Sequence, residues 1–325
     1  MRGADVRWDV ASFGETMIRL AVPVGERLET TTRLDVGIGG AEANVLVALA
    51  RLGRRTAWAS VLPRNPLGER IARELAWHGV DTSLVQWVER GRVGVYFLDT
   101  GIPPRPTMVL YDRAGSAIAS VDPEVFPVEW TAETRWLHLT GITPALSEGC
   151  QQIAWKLLLR ARALGVPVSF DVNYRSRLWS SEEAAQALAP FCAQVTVLLC
   201  GEGDARTLWG FEGAPEQIVA GLAERFGAAV TVVTLGDGGA IALTRDGNLV
   251  KIGALPATVI DRVGAGDAFA AGFLHGYVDD GDLERAMRYG TALAALKLTV
   301  RGDLALVTAA ELEAALRDVR RTIVR

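Results

Sequence analysis

A short glycine-rich segment in the last quarter of the chain holds the residues best suited to chemistry. Asp267 directly follows Gly264-Ala-Gly, and the apolar residues after it predict a helix that begins near Ala265, behind a strand-like run ending at Asp261. Gly264 and Gly266 allow a ligand to approach the backbone closely, while the first-turn N–H groups and the helix dipole favour negative charge. The segment therefore predicts an anion site suited to phosphate.

Asp267 adds a base to this anion site. A carboxylate placed there could take a proton from a hydroxyl group as it attacks a phosphoryl group held by the neighbouring amides. On this interpretation Asp267 is the general base, and Gly264, Ala265 and Gly266 clamp the electrophile. The alternative is that Asp267 only caps a helix and the glycines serve packing.

The elements that must position this segment follow an alternating pattern. Short β-branched runs separated by helix-like segments read as strands at residues 56–62, 136–140, 166–172, 195–199 and 230–234. Their apolar residues are consecutive, as expected when helices cover both faces of a parallel sheet. We therefore expect an α/β fold with a doubly wound, mainly parallel sheet flanked by helices.

Two regions, 14–38 and 91–120, break the alternation. In the second, residues 93–98 and 107–111 flank a turn-rich segment and predict a β-hairpin. We interpret the two regions as a small protruding β-sheet that forms a discontinuous lid over a cleft. Because no linker or internal repeat interrupts the chain, residues 1–325 are expected to form a single domain.

Bulk composition narrows the class of protein. Half of the residues are hydrophobic and 22% are charged, which excludes disorder, and no apolar run is long enough to predict a membrane span. A net charge of −4 gives no overall attraction to nucleic acid. Residues 1–5 lead almost directly into a strand-like run, so we expect no secretory segment and a cytoplasmic location. None of Lys156, Lys251 and Lys297 belongs to a Gly-Lys-Ser/Thr phosphate loop.

Two motifs far apart in the chain resemble the signatures of the PfkB, or ribokinase-like, carbohydrate kinases. Residues 261–272 are similar to the carboxy-terminal signature of that family, and Gly39-Gly40-x-x-x-Asn44 is similar to the amino-terminal one. The resemblance spans essentially the whole chain. It implies a ribokinase-like fold, ATP as phosphoryl donor and Mg²⁺ as the partner of ATP.

The resemblance also implies roles for individual residues. Gly40 and Asn44 would contact hydroxyl groups of a sugar, and residues 264–267 would hold the phosphoryl group and the proton. The residues expected to contact ATP are Asn173, Arg175, Thr234, Gly236, Gly239, Gly264 and Gly266.

Within the family, segments 137–147 and 169–180 most resemble 2-keto-3-deoxygluconate kinases. This resemblance predicts phosphorylation of the terminal (C6) hydroxyl of a sugar acid whose carboxylate needs a cationic partner. Arg113 and Arg175 are the candidates, because a guanidinium group binds a carboxylate through two parallel hydrogen bonds. The full set of expected substrate contacts is Gly40, Asn44, Tyr96, Tyr111, Arg113, Arg175, Asp267 and Asp303.

Several alternatives remain open at this point. The acceptor could instead be fructose, ribose or a nucleoside, and a non-catalytic binding protein would be marked by loss of Asp267 or of the glycine pair. The chain has Gly201-Glu-Gly-Asp204 where many family members have Asn-x-x-Glu, so no metal ligand is assigned. The role of Arg262, tolerance for the C4 epimer of the sugar acid and a monovalent-cation requirement are also open. By resemblance, we expect a homo-oligomer, either a dimer through the lid or a larger assembly.

Overall fold

The computed structural model describes residues 6–102 and 104–317. Residues 1–5, on which the expectation of no secretory segment was based, lie outside this part of the chain. The strands are β1 Val10–Phe13, β2 Met17–Ala21, β3 Asp35–Gly39, β4 Thr56–Pro63, β5 Val80–Asp81, β6 Val85–Val88, β7 Val95–Asp99, β8 Met108–Asp112, β9 Leu137–Thr140, β10 Val168–Asp171, β11 Val197–Gly201, β12 Val230–Thr234, β13 Ala240–Thr244 and β14 Leu249–Ile252.

The helices alternate with the strands of the core. They are α1 Ala41–Arg51, α2 Pro66–Trp77, α3 Glu148–Ala163, α4 Ser181–Cys192, α5 Glu202–Trp209, α6 Pro215–Phe226, α7 Ala265–Tyr277, α8 Leu283–Leu298 and α9 Ala309–Arg317. Short 3-10 helices lie at Glu129–Glu133, Thr143–Ala145 and Gly236–Gly238. None of the helices described here is long and apolar enough to cross a membrane.

The larger of two sheets is mainly parallel. Its strand order is β14-β13-β12-β11-β10-β9-β1-β4-β5, with β6 also paired to β4. Every pairing from β12 to β5, and the pairing of β6 with β4, is parallel, whereas β13 and β14 are added antiparallel at one edge. The predicted mainly parallel sheet is confirmed, and the five predicted core strands correspond to β4, β9, β10, β11 and β12.

Helices cover both faces of this sheet. All eight residues of β4 are buried. Trp58 and Leu62 join a core cluster with α1, α7 and α8, while Ala57, Ala59 and Val61 join a second cluster with α3 and α4. Successive side chains of a strand point to opposite faces, so a strand covered on both faces is apolar at most positions. Coverage by helices on both faces therefore explains why the predicted strands contain consecutive apolar residues.

The smaller sheet is built from the two regions that break the alternation. Its order is β3-β2-β7-β8, in which β2 and β7 are parallel and the other two pairings are antiparallel. The predicted hairpin is confirmed as β7 and β8. The sheet is discontinuous in sequence because α1, β4, α2, β5 and β6 intervene between its halves.

One predicted element is wrong. Residues 253–264 contain no strand, although Thr258-Val-Ile has high strand propensity. The amides of Ile260 and Asp261 both donate to the carbonyl oxygen of Leu298, at the end of α8, instead of to a neighbouring strand. The helix expected near Ala265 does begin at that residue.

Candidate active site

Two cavities meet at the amino terminus of α7. The smaller has a volume of about 80 Å³ and is lined by Gly264 and Asp267, among other residues. The larger has a volume of about 740 Å³ and is lined by Ala265 and Gly266. Consecutive residues of a single turn therefore face different cavities, and the first turn of α7 is the wall between them.

The small cavity contains all eight residues that the sequence predicted as substrate contacts. They come from β7, β8, α1, α7 and the loops after β3, β8, β10 and α8, and they are Gly40, Asn44, Tyr96, Tyr111, Arg113, Arg175, Asp267 and Asp303. Sequence reasoning missed the lining residues Glu15, Met17, Ala41, Val109, Ile142 and Val263. It had placed Gly39 at the sugar site through the diglycine motif, and it had assigned Gly264 to the phosphoryl group and to ATP. The structure thus gathers widely separated segments at one place.

Asp267 is buried, and its carboxylate is held by Asn44. The Asn44 side-chain amide donates to Oδ2 of Asp267 at 2.7 Å, and its oxygen accepts from the Gly40 amide at 3.3 Å. Burial raises the pKa of Asp267 to about 6, although the hydrogen bond from Asn44 and the positive charge of Arg175 lower it. A carboxylate with such a pKa can act as a general base near neutral pH.

The backbone around Asp267 offers free hydrogen-bond donors. Gly264 has a φ of 84°, a left-handed conformation that favours glycine, and it precedes the first residue of the helix. The amide of Ala265 donates to the carbonyl oxygen of Arg262. Within the described ranges, by contrast, the amides of Gly264, Gly266 and Asp267 have no hydrogen-bond partner. The helix amino terminus therefore presents three unsatisfied N–H groups beside the carboxylate, an arrangement that suits an anion.

A hydroxyl and a second carboxylate also line the small cavity. The hydroxyl of Tyr96 is buried and has no partner among the described residues. A Cβ atom on Gly39 would lie 2.3 Å from Oδ2 of Asp303 and 2.5 Å from the Tyr96 oxygen, so only glycine fits between them. Burial raises the pKa of Asp303, against the charge of Arg19, which lowers it. These polar groups are suited to hydroxyl groups of a ligand.

The two predicted arginines differ in their surroundings. Arg113 forms an ion pair with the buried Glu15, whose Oε2 accepts from its Nε at 2.8 Å and lies 2.5 Å from Nη2. The guanidinium group of Arg113 also lies 5.7 Å from the ring centre of Tyr111. Arg175 is exposed, and among residues 6–102 and 104–317 it donates only to the Tyr174 carbonyl oxygen, at 3.0 Å. Of the two, Arg113 is paired directly with a carboxylate, whereas Arg175 acts on the Asp267 carboxylate through its charge, without an ion pair in the described part of the chain.

The large cavity holds four of the predicted ATP contacts, Thr234, Gly236, Gly239 and Gly266. A fifth, Gly264, lines the small cavity. The other walls of the large cavity are mainly apolar and include Leu255, Pro256, Val259, Phe269 and Leu298. A Cβ atom on Gly266 would meet no atom within 4 Å, so this residue leaves open space against the cavity. Such a cavity, ending at the unsatisfied amides of α7, fits a nucleotide whose phosphates point toward the helix.

Asn173 and Arg175 do not line the large cavity. Arg175 lines the small one, and Asn173 is buried with a positive φ of 42° and donates to Oδ2 of Asp171 at 3.4 Å. Their contact with ATP remains a prediction. Arg262, whose role the sequence left open, does line the large cavity, where its Nη1 lies 3.9 Å from Oδ1 of Asp237.

The half-buried carboxylates near Asp267 do not form an evident metal site. Asp204 accepts a hydrogen bond from the Tyr174 amide at 3.1 Å, and burial raises the pKa of both Asp204 and Asp171. In the described part of the chain, no group of three or more His, Cys, Asp or Glu side chains could hold a metal ion. Protein ligands for Mg²⁺ therefore stay unassigned.

Comparisons with known proteins place the chain in a family. The pfkB family of carbohydrate kinases matches residues 8–309. The 2-dehydro-3-deoxygalactonokinase of Haloferax volcanii is 41% identical over 309 residues, covering 95% of this chain and 96% of the relative. The 2-dehydro-3-deoxygluconokinase of Bacillus subtilis is 29% identical over 322 residues, 98% of each chain.

The crystal structure of the Thermotoga maritima 2-dehydro-3-deoxygluconokinase superposes with a TM-score of 0.87 at 34% identity, covering 95% of this chain and 99% of that one. The chain therefore belongs to the pfkB family of carbohydrate kinases, phosphotransferases that act on an alcohol group, and it has a ribokinase-like fold.

Proposed function

We propose that this protein is an ATP-dependent kinase that phosphorylates the C6 hydroxyl of 2-keto-3-deoxygluconate to give 2-keto-3-deoxy-6-phosphogluconate. The observation that carries the proposal is the meeting of two cavities at one helix amino terminus, with Asp267 in the small cavity and Gly266 in the large one. A phosphoryl donor in one cavity and a hydroxyl acceptor in the other would react across this wall. We place the reaction in the cytoplasm.

Asp267 has the central role in the proposed reaction. Its carboxylate takes the proton from the attacking hydroxyl, and Asn44 holds that carboxylate in place. The unsatisfied amides of Gly264, Gly266 and Asp267 stabilise the negative charge that develops during transfer. Bound ATP, together with Mg²⁺, supplies the γ-phosphoryl group; Thr234, Gly236, Gly239 and Gly266 would hold the nucleotide.

The charges of the small cavity support a sugar acid as the acceptor. A sugar acid places a carboxylate near Arg175 and Arg113, where charge-assisted hydrogen bonds are strong. Tyr96 and Asp303 would bind its hydroxyl groups. Because β2, β7 and β8 of the smaller sheet contribute residues to this cavity, we propose that the sheet serves as a lid that excludes water, as part of a single domain.

A second acceptor of the same class is favoured by one comparison. The Haloferax volcanii relative, at 41% identity, is a 2-dehydro-3-deoxygalactonokinase, whereas the gluconokinases are less similar to this chain. The two sugar acids differ only in configuration at C4. We therefore propose 2-keto-3-deoxygalactonate as the alternative acceptor.

The proposal is tested with a panel of acceptors under identical ATP and Mg²⁺. We expect the highest kcat/KM for one or both sugar-acid epimers, and much lower values for ribose, fructose and adenosine. Asp267→Asn should lower kcat about 10²- to 10⁴-fold while nucleotide binding is retained, because only proton transfer is lost. Asp246→Asn, in an exposed turn between β13 and β14, is the matched control and should leave kcat unchanged.

Either of two results would contradict the proposal. A clear preference for an uncharged acceptor would remove the assigned role of the arginines, and unchanged turnover of Asp267→Asn would remove this residue from the chemistry. Comparison of the two epimers decides between the main and the alternative acceptor.

A further inference from the structure

Lys297 carries an ammonium group inside the protein core. The residue lies near the end of α8, and its side chain is fully buried. Its Nζ donates to the carbonyl oxygen of Asp261 at 3.0 Å and to that of Val300 at 3.3 Å. Lysine is rarely buried so completely, because removing an ammonium group from water costs several kcal/mol unless other groups compensate it. The two acceptors are main-chain oxygens from different loops.

These two loops are packed against each other beside the active site. Asp261 begins the turn that leads to Gly264, and Val300 precedes the loop that carries Asp303. A Cβ atom on Gly264 would lie 2.1 Å from the Asp303 carbonyl oxygen, so the loops are in direct backbone contact. Lys297 thus connects the turn before α7 to the loop that supplies a small-cavity carboxylate.

A second buried cation connects the same two loops from the side of the smaller sheet. Arg19, on β2, forms ion pairs with Asp303 and, at 2.6 Å, with Asp261. The Asp261 carboxylate also accepts from the amides of Val263, at 3.0 Å, and Gly302, at 3.1 Å. Lys297 and Arg19 therefore each bind one group from each of the two loops. Their two positive charges balance the carboxylates of Asp261 and Asp303.

The Lys297 ammonium lies where a monovalent cation could bind main-chain carbonyl oxygens. Main-chain carbonyl oxygens are the groups that replace the hydration shell of K⁺ in protein sites, and NH₄⁺ is a cation of similar size. The side chain of Lys297 delivers a cation of similar charge and size to this place, covalently attached to α8. Burial lowers the pKa of Lys297, but the charges of Asp261 and Asp303 raise it.

We propose that Lys297 is a built-in cation that, with Arg19, holds the turn carrying the phosphoryl-binding amides, so that turnover needs no added monovalent cation. The inference rests on the proposed kinase function for its catalytic consequence. Lys297 and Arg19 are positioning residues, since Lys297 binds main-chain oxygens and Arg19 binds carboxylates of the two loops, and neither contacts the reacting groups.

The first experiment uses the wild-type enzyme. Its kcat, measured at constant ionic strength with Mg²⁺ and ATP, should be the same in tetramethylammonium chloride as in KCl or NH₄Cl. Tetramethylammonium serves as the reference because it is too large for a site between two carbonyl oxygens. A severalfold activation by K⁺ or NH₄⁺ would overturn the proposal.

The second experiment removes the ammonium. Lys297→Ala should lose about 10- to 100-fold in kcat in tetramethylammonium, the scale expected for misplaced groups, and should recover part of it in NH₄⁺ or K⁺. Lys297→Met fills the space without a charge and should not recover. Lys156→Ala, a lysine on α3 bound to Glu124, should behave as wild type in every salt. Equal impairment of Lys297→Ala in all salts would overturn the proposal.

Thermal unfolding tests the role of Lys297 without an activity measurement, so it separates this proposal from the proposed kinase function. The thermal unfolding midpoint of Lys297→Ala should be higher in KCl or NH₄Cl than in tetramethylammonium chloride, while that of wild type should not depend on the cation. If the wild type phosphorylates no acceptor, the proposed function fails, yet the unfolding comparison still decides the role of Lys297. If Lys297→Ala does not fold in any salt, the cation dependence of wild type decides it.

Discussion

The titration of Asp267 depends on neighbours that act in opposite directions. Burial raises its pKa to about 6, whereas the hydrogen bond from Asn44 and the charge of Arg175 favour the ionised form. A general base works only when deprotonated, so kcat/KM of the proposed kinase should fall as the pH decreases through about 6. The acidic limb of the pH profile therefore reports on the environment of a single carboxylate.

Replacement of Asn44 tests this dependence. Asn44→Leu keeps a similar volume but removes the donor that stabilises the Asp267 carboxylate, so the pKa of Asp267 should rise and the acidic limb of kcat/KM should move to higher pH. The measurement is kcat/KM from pH 5 to 8. Asn248→Leu, in an exposed turn, is the matched control and should keep the wild-type profile. An acidic limb that stays in place in Asn44→Leu would show that this hydrogen bond does not tune the base.

Single residues were predictable from sequence only where a local motif contained them. The glycines before Asp267 and the diglycine before Asn44 each identified one part of the site, but not the bond between the two side chains, which joins residues 223 positions apart. The pair of Arg19 with Asp261 spans 242 positions and belongs to no motif. Such contacts depend on how the sheets are assembled, which no local pattern records.

At the scale of elements, α7 has its first turn exposed to two ligand cavities. Gly266 lines the large cavity, and a Cβ atom there would meet nothing within 4 Å in the protein. The residue is therefore not needed for packing. Since glycine inside a helix is less favourable than alanine by about 1 kcal/mol, its presence calls for another reason. Close approach of a nucleotide phosphate to the backbone provides one.

We predict that Gly266→Ala separates stability from nucleotide binding. The substitution should leave thermal stability unchanged or raise it, by at most about 1 kcal/mol, because alanine is the better helix former. The added methyl group should occupy space meant for phosphate and raise the KM for ATP about tenfold, a cost within the range for overpacking. Gly203→Ala on α5, where a Cβ atom also meets nothing within 4 Å, should gain stability without any change in KM. An unchanged KM for ATP in Gly266→Ala would contradict a phosphate position at this turn.

Elements with one dominant pattern were predicted well, and irregular ones were not. The five core strands could be identified because burial on both faces leaves consecutive apolar residues, as β4 illustrates. Residues 253–264 share the β-branched composition of a strand but line the large cavity through Ala257 and Val259, while Ile260 bonds to the end of α8. Composition alone does not reveal whether a strand edge is available for pairing.

At the scale of the whole molecule, the smaller sheet has two distinct faces. One cross-strand row, Gly37, Arg19, Tyr96 and Tyr111, includes two residues that line the small cavity, Tyr96 and Tyr111. The neighbouring row on the other side is apolar across all four strands and consists of Val36, Leu20, Phe97 and Leu110. Its two ends are exposed, by 48% at Val36 and 44% at Leu110. Exposed apolar stripes of this kind commonly mark contacts between proteins.

We predict that this apolar row, Val36, Leu20, Phe97 and Leu110, is buried against a second copy of the chain, which would give the homo-oligomer expected from the family resemblance. Sedimentation velocity should show wild type as a dimer or larger assembly at micromolar concentration. Leu110→Asp places a charge in the row and should shift the protein toward monomer, because an unpaired charge in an apolar interface is costly. Leu159→Asp on α3 alters a leucine of matched exposure, 45%, outside the smaller sheet, and should leave the assembly intact. A wild-type protein that sediments only as monomer, or a Leu110→Asp variant that associates as wild type does, would exclude this face as the contact.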